Sequence, residues 1–216
     1  DAARRLYREW FVHLRYPGHE LVMVKDGVPQ GWKSGAAYDF VTIQSGGTPK
    51  TGMAHYWDGE FPFFTPKDSP DSFYVTETEK TLTEAGVAGC NSRLFPKETI
   101  FITARGTVGK LALAQKPMAM NQSCYAVVPK QNLDNLFLFL SLINVVEHVK
   151  QVATGGVFNA IVIETFKVIP FVQPTAGLTE DFGKAVRPLF DQIETLILQN
   201  SKLMKSRDLL LPKLMT

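Results

Sequence analysis

Apolar residues recur at spacings of three and four in residues 2–14, where Leu6, Tyr7, Trp10, Phe11 and Leu14 share one helix face. Pro17 and Gly18 end that pattern. A helix this short is marginal alone, so its aromatic face needs a partner. From about residue 22 to 174 the pattern changes to short apolar runs rich in β-type residues, at 61–65, 99–104, 110–115, 123–128 and 166–172. Gly, Pro, Asn and Asp punctuate them, and residues 133–152 predict a helix between the last two runs. Strands broken by one helix, without regular β–α alternation, predict an α+β domain with a curved, mostly antiparallel sheet and packed helices.

Residues 178–211 carry a different signal. Phe182, Val186, Leu189, Ile193, Leu196, Asn200, Leu203, Arg207 and Leu210 are spaced 4, 3, 4, 3, 4, 3, 4, 3. In this heptad repeat Val186, Ile193 and Asn200 fall at a, and Leu189, Leu196, Leu203 and Leu210 at d. A β-branched a with Leu at d favours two-stranded packing, and an a-position Asn fixes register. Pro188 is expected to kink the early part or to mark the true start of the long helix. At 1.5 Å per residue the segment makes a rod of roughly 50 Å. Phe190, Ile197, Leu198 and Met204 widen the apolar stripe, as a helix lying on its own domain would require. A coiled coil and a self-docked helix are therefore both open at this point. The predicted division is 1–17, the tail of a preceding helix; 18–176, a globular domain; and 177–216, a long coiled-coil helix.

Composition changes this picture little. Hydrophobic residues make up 45 % and charged residues 20 % of 216, ordinary for a globular chain. Net charge is +2, too small to indicate a polyanionic partner. Any such surface must come from local arrangement. Cys90 and Cys124 form no Cys-x-x-Cys pair, which speaks against zinc and a disulfide framework and for small buried residues in a reducing cytoplasm. Residues 1–14 are charged rather than signal-like. The most apolar stretch, 133–149, carries Asp134, Glu147 and His148 and is too short to span a bilayer.

Catalytic look-alikes fail at named positions. Gly106-Thr107-Val108-Gly109-Lys110 has the wrong glycine spacing for a phosphate loop, and Leu111 follows the lysine. Ser45-Gly46-Gly47-Thr48 lacks the context of a dinucleotide fingerprint. Asp71 with Glu77-Thr78-Glu79-Lys80 resembles a metal-dependent nuclease core, but Thr78 replaces a needed acid. No Asn/Asp-Pro-Pro-Tyr/Phe tetrad of an amino-methyltransferase is present, and no His-Glu-x-x-His or Gly-x-Ser-x-Gly.

Several segments occur in an order that resembles the specificity (S) subunits of type I restriction–modification systems. They are Gly31-Trp32-Lys33, Ser45-Gly46-Gly47-Thr48-Pro49-Lys50-Thr51, Tyr56-Trp57-Asp58-Gly59 and Phe64-Thr65-Pro66-Lys67-Asp68. Thr83-Glu84-Ala85-Gly86-Val87, Arg105-Gly106-Thr107-Val108-Gly109, Met120-Asn121-Gln122 and Thr154-Gly155-Gly156-Val157-Phe158 continue the series. Arg207-Asp208-Leu209-Leu210-Leu211-Pro212-Lys213-Leu214-Met215 closes the helix as in that family. Leu6-Tyr7-Arg8-Glu9-Trp10-Phe11-Val12 resembles the end of its central helix.

The resemblance implies a non-catalytic, sequence-specific reader of one half of a bipartite double-stranded DNA target in a bacterial or archaeal cytoplasm. Its partners would be DNA methyltransferase subunits, a restriction subunit reached through the complex, and a second recognition half. That half would lie in the same subunit, if this is a fragment, or in a second copy. The chain itself needs no cofactor; S-adenosylmethionine, ATP and Mg would belong to partner subunits. The alternative is a module for a protein or glycan ligand with a coiled-coil assembly helix.

For DNA, Ser45, Gly47, Thr48, Lys50 and Thr51 form a small-residue loop whose backbone N–H groups could approach phosphates; an ordinary Gly-Pro turn is the alternative. Thr65, Lys67 and Asp68 could reach a groove, with Lys donating to guanine and Asp accepting from cytosine, or could form a capped turn. Arg105 could fork onto guanine or phosphate, and Lys110 onto phosphate. Asn121 and Gln122 are expected to brace loops or hold the DNA backbone rather than discriminate bases. Tyr56, Trp57, Tyr74 and Phe158 could stack on bases or fill the core.

Overall fold

The structure, a computed structural model, describes residues 1–130, 133–152 and 160–214, with no side-chain description at 150–152 and 212–214. Six α-helices are described: α1 (Ala2–Tyr7), α2 (Ala37–Phe40), α3 (Glu84–Ala88), α4 (Asn135–Val152), α5 (Ile163–Val168) and α6 (Ala176–Leu214). The first strands are β1 (Val24–Lys25), β2 (Val28–Pro29), β3 (Lys33–Ala36), β4 (Val41–Ser45), β5 (Trp57–Phe64) and β6 (Tyr74–Val75). They are followed by β7 (Lys80–Leu82), β8 (Ile100–Thr103), β9 (Leu111–Ala114), β10 (Ala119–Met120), β11 (Cys124–Pro129) and β12 (Pro170–Gln173).

A five-stranded sheet has the order β4-β11-β8-β9-β6, and a three-stranded sheet the order β10-β5-β7. All pairings are antiparallel except β6–β9 and β10–β5. The chain is thus α+β with mostly antiparallel sheets and a long C-terminal helix. Four of the five expected runs carry a strand: β8 and β9 lie within theirs, β11 runs one residue past its run, and β5 begins four residues before its run, at Trp57. The fifth differs. Residues Ile163–Val168 are helical and only Pro170–Gln173 is a strand, pairing with β3. Phe166 is buried on the helix and Phe171 on the strand, so both anchor the core and the apolar run mimics one strand.

Strand β8 is covered on both faces, which is why Ile100–Thr103 reads as a continuous apolar run. Ile100 and Ile102 join a cluster with α4, while Phe101 points the other way and stacks on Phe64 at 5.0 Å. Helix α4 buries Leu136, Phe137, Leu138, Phe139 and Leu140 between that sheet and the terminal helices. Asp134 caps it, accepting from the Leu136 and Phe137 amides at 2.9 and 3.0 Å.

The expected N-terminal helix is α1 followed by a π-helical turn, Arg8–Val12, and it ends with Leu14 at φ 57°. Its aromatic face has a partner: Tyr7, Trp10 and Phe11 all lie against Phe182 of α6, Phe11 at 5.0 Å. Helix α6 begins at Ala176 and runs through Pro188, so the proline does not mark the start.

The heptad stripe divides. Phe182, Val186 and Phe190 are fully buried in the domain's own core, with Leu189 and Ile193 packed beside them. Val186 is therefore core, not a seam position open to an outside helix. From Leu196 onward the heptad positions are uncovered: Leu196, Asn200, Leu203 (67 % exposed) and Leu210 face solvent, while Lys205 between them still pairs with Glu77. Polar contacts hold the docked half. Arg187 pairs bidentately with Glu98, and Lys97 and Gln115 both reach Glu194, at 2.7 and 2.9 Å. Burial alone would raise the Glu194 carboxyl; the hydrogen bonds from Lys97 and Gln115 outweigh it and hold its pKa below the ordinary value.

Candidate nucleic-acid interface

The chain passes from the three-stranded to the five-stranded sheet through the Asn121–Ser123 turn between β10 and β11. The Asn121 amide donates to the Phe64 carbonyl at 2.9 Å and the Asn121 side chain accepts from the Ser123 amide at 3.0 Å. Loop 46–53, leaving β4, packs onto the same turn. The Gly47 amide donates to the Met120 carbonyl at 3.1 Å, and the Thr48 hydroxyl donates to the Gln122 side-chain oxygen. A third loop, at the end of β5, completes the place. Here Asp68 accepts from the Thr65 amide and hydroxyl at 2.8 and 2.7 Å and from the Glu79 amide at 2.7 Å.

These three loops enclose a groove of about 400 Å³. Thr48, Thr51, Thr65, Lys67, Asn121 and Gln122 line it, drawn from three distant stretches of chain. Trp57, Glu79 and Lys80 line it too. The Lys80 ammonium lies 5.5 Å from the Trp57 ring centre, and the indole N–H donates to the Lys50 carbonyl at 3.4 Å. Trp57 thus lies at the groove, whereas Tyr74 is buried in the core. Lys50, Lys67 and Arg105 are exposed, and their side chains make no ion pair among the described residues. Arg105 begins the turn whose Gly106 abuts Pro66, a groove residue.

Other expected residues fall elsewhere. Gly47 is buried and its N–H is used internally, so it offers no donor to a phosphate. The glycines are needed for close packing instead: a Cβ at Gly46 would stand 2.3 Å from the Met120 carbonyl oxygen. Asp68 spends one carboxylate oxygen on Thr65 of its own turn and the other on the Glu79 amide, and is an organiser rather than a base reader. Ser45 ends β4, paired with Tyr125. Lys110 lines a separate groove with Arg4, Asp71 and Glu147. The glycine-rich 106–110 stretch is a hairpin turn between β8 and β9, with Gly106 and Gly109 at φ 77° and 75°. The Thr154–Phe158 motif lies outside the described residues.

Of the look-alike nuclease residues, Glu77 pairs with Lys205, and the Thr78 hydroxyl donates to the Lys80 carbonyl at 2.7 Å. Among the described residues, no three His, Cys, Asp or Glu side chains are grouped to hold a metal ion, and no helix is long and apolar enough to cross a membrane.

The two cysteines are free. Burial, with the Asp68 charge nearby, pushes the Cys124 thiol up to about 12. Thiol titration of the folded chain at neutral pH is therefore expected to modify the half-buried Cys90 and leave Cys124 unreacted until denaturant is added. Rapid modification of both would contradict the packing of β11.

Residues 29–195 match the family described as the type I restriction modification DNA specificity domain. The type I restriction enzyme MjaIX specificity subunit of Methanocaldococcus jannaschii is 29 % identical over 182 residues, covering 82 % of this chain and 42 % of that protein. The HindI specificity subunit of Haemophilus influenzae is 28 % identical over 191 residues, covering 87 % and 42 %. In fold, the S subunit from M. genitalium superposes with a TM-score of 0.68 at 16 % identity, over 99 % of this chain and 53 % of that one. The HsdS subunit from Thermoanaerobacter tengcongensis gives 0.60 at 15 % identity, over 90 % and 44 %. The chain spans about two-fifths of the length of the curated relatives it matches. With the matched family spanning most of its residues, this chain belongs to the DNA specificity domains of type I restriction–modification systems.

Proposed function

We propose that this chain is one target-recognition unit of a type I specificity subunit, reading half of a bipartite double-stranded DNA site without chemistry of its own. The observation that carries this is the groove at the sheet junction. Three loops converge there and present threonine hydroxyls, amides and an aromatic ring beside uncompensated Lys50, Lys67 and Arg105. Hydroxyls, amides and cations are the groups that contact phosphate and base edges. Methylation and cleavage would then fall to partner subunits, which would hold S-adenosylmethionine, ATP and Mg.

The uncovered half of α6 suits a second helix: Leu196, Leu203 and Leu210 form an apolar stripe with Asn200 within it. That helix would come from the other recognition half or a second copy, and methyltransferase subunits would dock on the resulting pair.

Binding of the assembled complex to its target at fixed salt tests the assignment. Lys50→Ala and Lys67→Ala are each expected to weaken binding to target and non-target DNA alike. Each should reduce the slope of log K against log salt by about one. Lys110→Ala, on the separate groove, is expected to leave both unchanged. Equal loss from Lys110→Ala, or none from Lys50→Ala and Lys67→Ala, would move the interface away from the junction.

A further inference from the structure

The groove carries one feature out of keeping with a surface that meets a polyanion. Glu79 is the only carboxylate among its described lining residues. It is exposed, and its side chain makes no hydrogen bond or ion pair among the described residues. Its backbone is fixed from both sides: the Glu79 amide donates to Asp68 at 2.7 Å, and Thr78 accepts from the Phe63 amide at 3.1 Å while donating to the Lys80 carbonyl. Lys80 then enters β7, paired with Phe63 of β5. Glu79 therefore sits on an anchored turn and lines the same groove as Lys67, Lys80 and Gln122.

An unpaired carboxylate is repelled by phosphate, so it does not strengthen sequence-independent binding. It becomes favourable only against a hydrogen-bond donor. In the major groove the base donors are the exocyclic amines of cytosine (N4) and adenine (N6), whereas guanine O6 and thymine O4 are acceptors. We propose that Glu79 is a specificity-determining residue that accepts a hydrogen bond from such an exocyclic amino group at one position of the half-site. Guanine or thymine there would place two acceptors face to face. Asp68, though nearby, already spends its oxygens on Thr65 and on the Glu79 amide. The inference rests on the DNA-recognition reading above.

The test uses the complete subunit assembled with its methyltransferase subunits, comparing the parent with Glu79→Gln and Glu79→Ala. Methylome sequencing is expected to show one position of one half-site relaxing to admit guanine or thymine in both variants, with the other half unchanged. In binding assays the preference at that position should fall about tenfold. Base analogues separate the two donors. Replacing cytosine by 2-pyrimidinone, or adenine by purine, removes only the amine. The analogue for the recognised base should weaken the parent about tenfold and leave Glu79→Ala unaffected, a coupling that a purely structural role would not produce. An unaltered motif in both variants, or equal sensitivity of parent and Glu79→Ala to each analogue, overturns the proposal. Loss of binding on Lys50→Ala and Lys67→Ala in the same assay would leave the DNA reading standing. No effect from any of the four variants would remove both.

Discussion

Replacing Phe182 by alanine is expected to cost the fold about 3–5 kcal/mol and to free the N-terminal helix from the domain. Its ring is fully buried and lies within 6.4 Å of the rings of Tyr7, Trp10, Phe11 and Phe137. It is the point where α1, α4 and α6 meet. Removing it leaves a cavity whose walls belong to three separate helices, and a short α1 has little intrinsic stability to survive alone. Chemical denaturation should show the loss directly. Trp10 emission should shift to the red before the global transition, because Phe182 covers that indole. Leu203→Ala, on the uncovered half of the same helix, is expected to leave the isolated chain's stability unchanged. If the two substitutions destabilise equally, α6 is not divided into a docked and a free half.

Gly46→Ala is the second large effect, and it joins the fold to the site. The added Cβ would lie 2.3 Å from the Met120 carbonyl oxygen and 2.4 Å from that of Asn121, both backbone atoms of the junction turn. Neither can swing aside as a side chain would. Either loop 46–53 lifts off or the β10–β11 turn moves, and the Gly47–Met120 hydrogen bond is lost in both cases. A cost of about 1–3 kcal/mol is expected from the overlap. DNA affinity should fall by more than stability alone explains, because Thr48 and Thr51 leave the groove. Gly52→Ala in the same loop meets nothing within 4 Å and should leave melting temperature and affinity intact. Normal DNA binding by Gly46→Ala would show that the loop does not form the groove wall.

The sequence made some of this legible for physical reasons. Long elements with many apolar positions, α4 and α6, declare themselves because periodicity accumulates over length. Strands such as β8 and β11 show as apolar runs because both faces are covered. Two- to four-residue strands, β3, β6, β7 and β10, carry too few positions to show any period. The heptads disclosed the long helix but not its division, because the same Leu and Val residues serve a domain core and an interhelical seam. At the site, Thr48 and Gln122 are 74 residues apart in sequence and touch only through the sheet junction. Glu79 and Lys80 were visible only inside a failed nuclease pattern. Their placement follows from Thr78 and Asp68 anchoring the turn, hydrogen bonds that leave no mark on composition. Gly46 and Gly47 look like a phosphate-approach loop, yet their small size is consumed by neighbouring backbone.

The claim that this domain reads half of a split target is tested most directly by exchanging residues 18–176 for the equivalent unit of another specificity subunit and sequencing the methylome of cells carrying the complete system. One half of the bipartite motif should change to that of the donor, while the other half and the spacer length stay the same. A motif unaltered by the exchange would contradict the account.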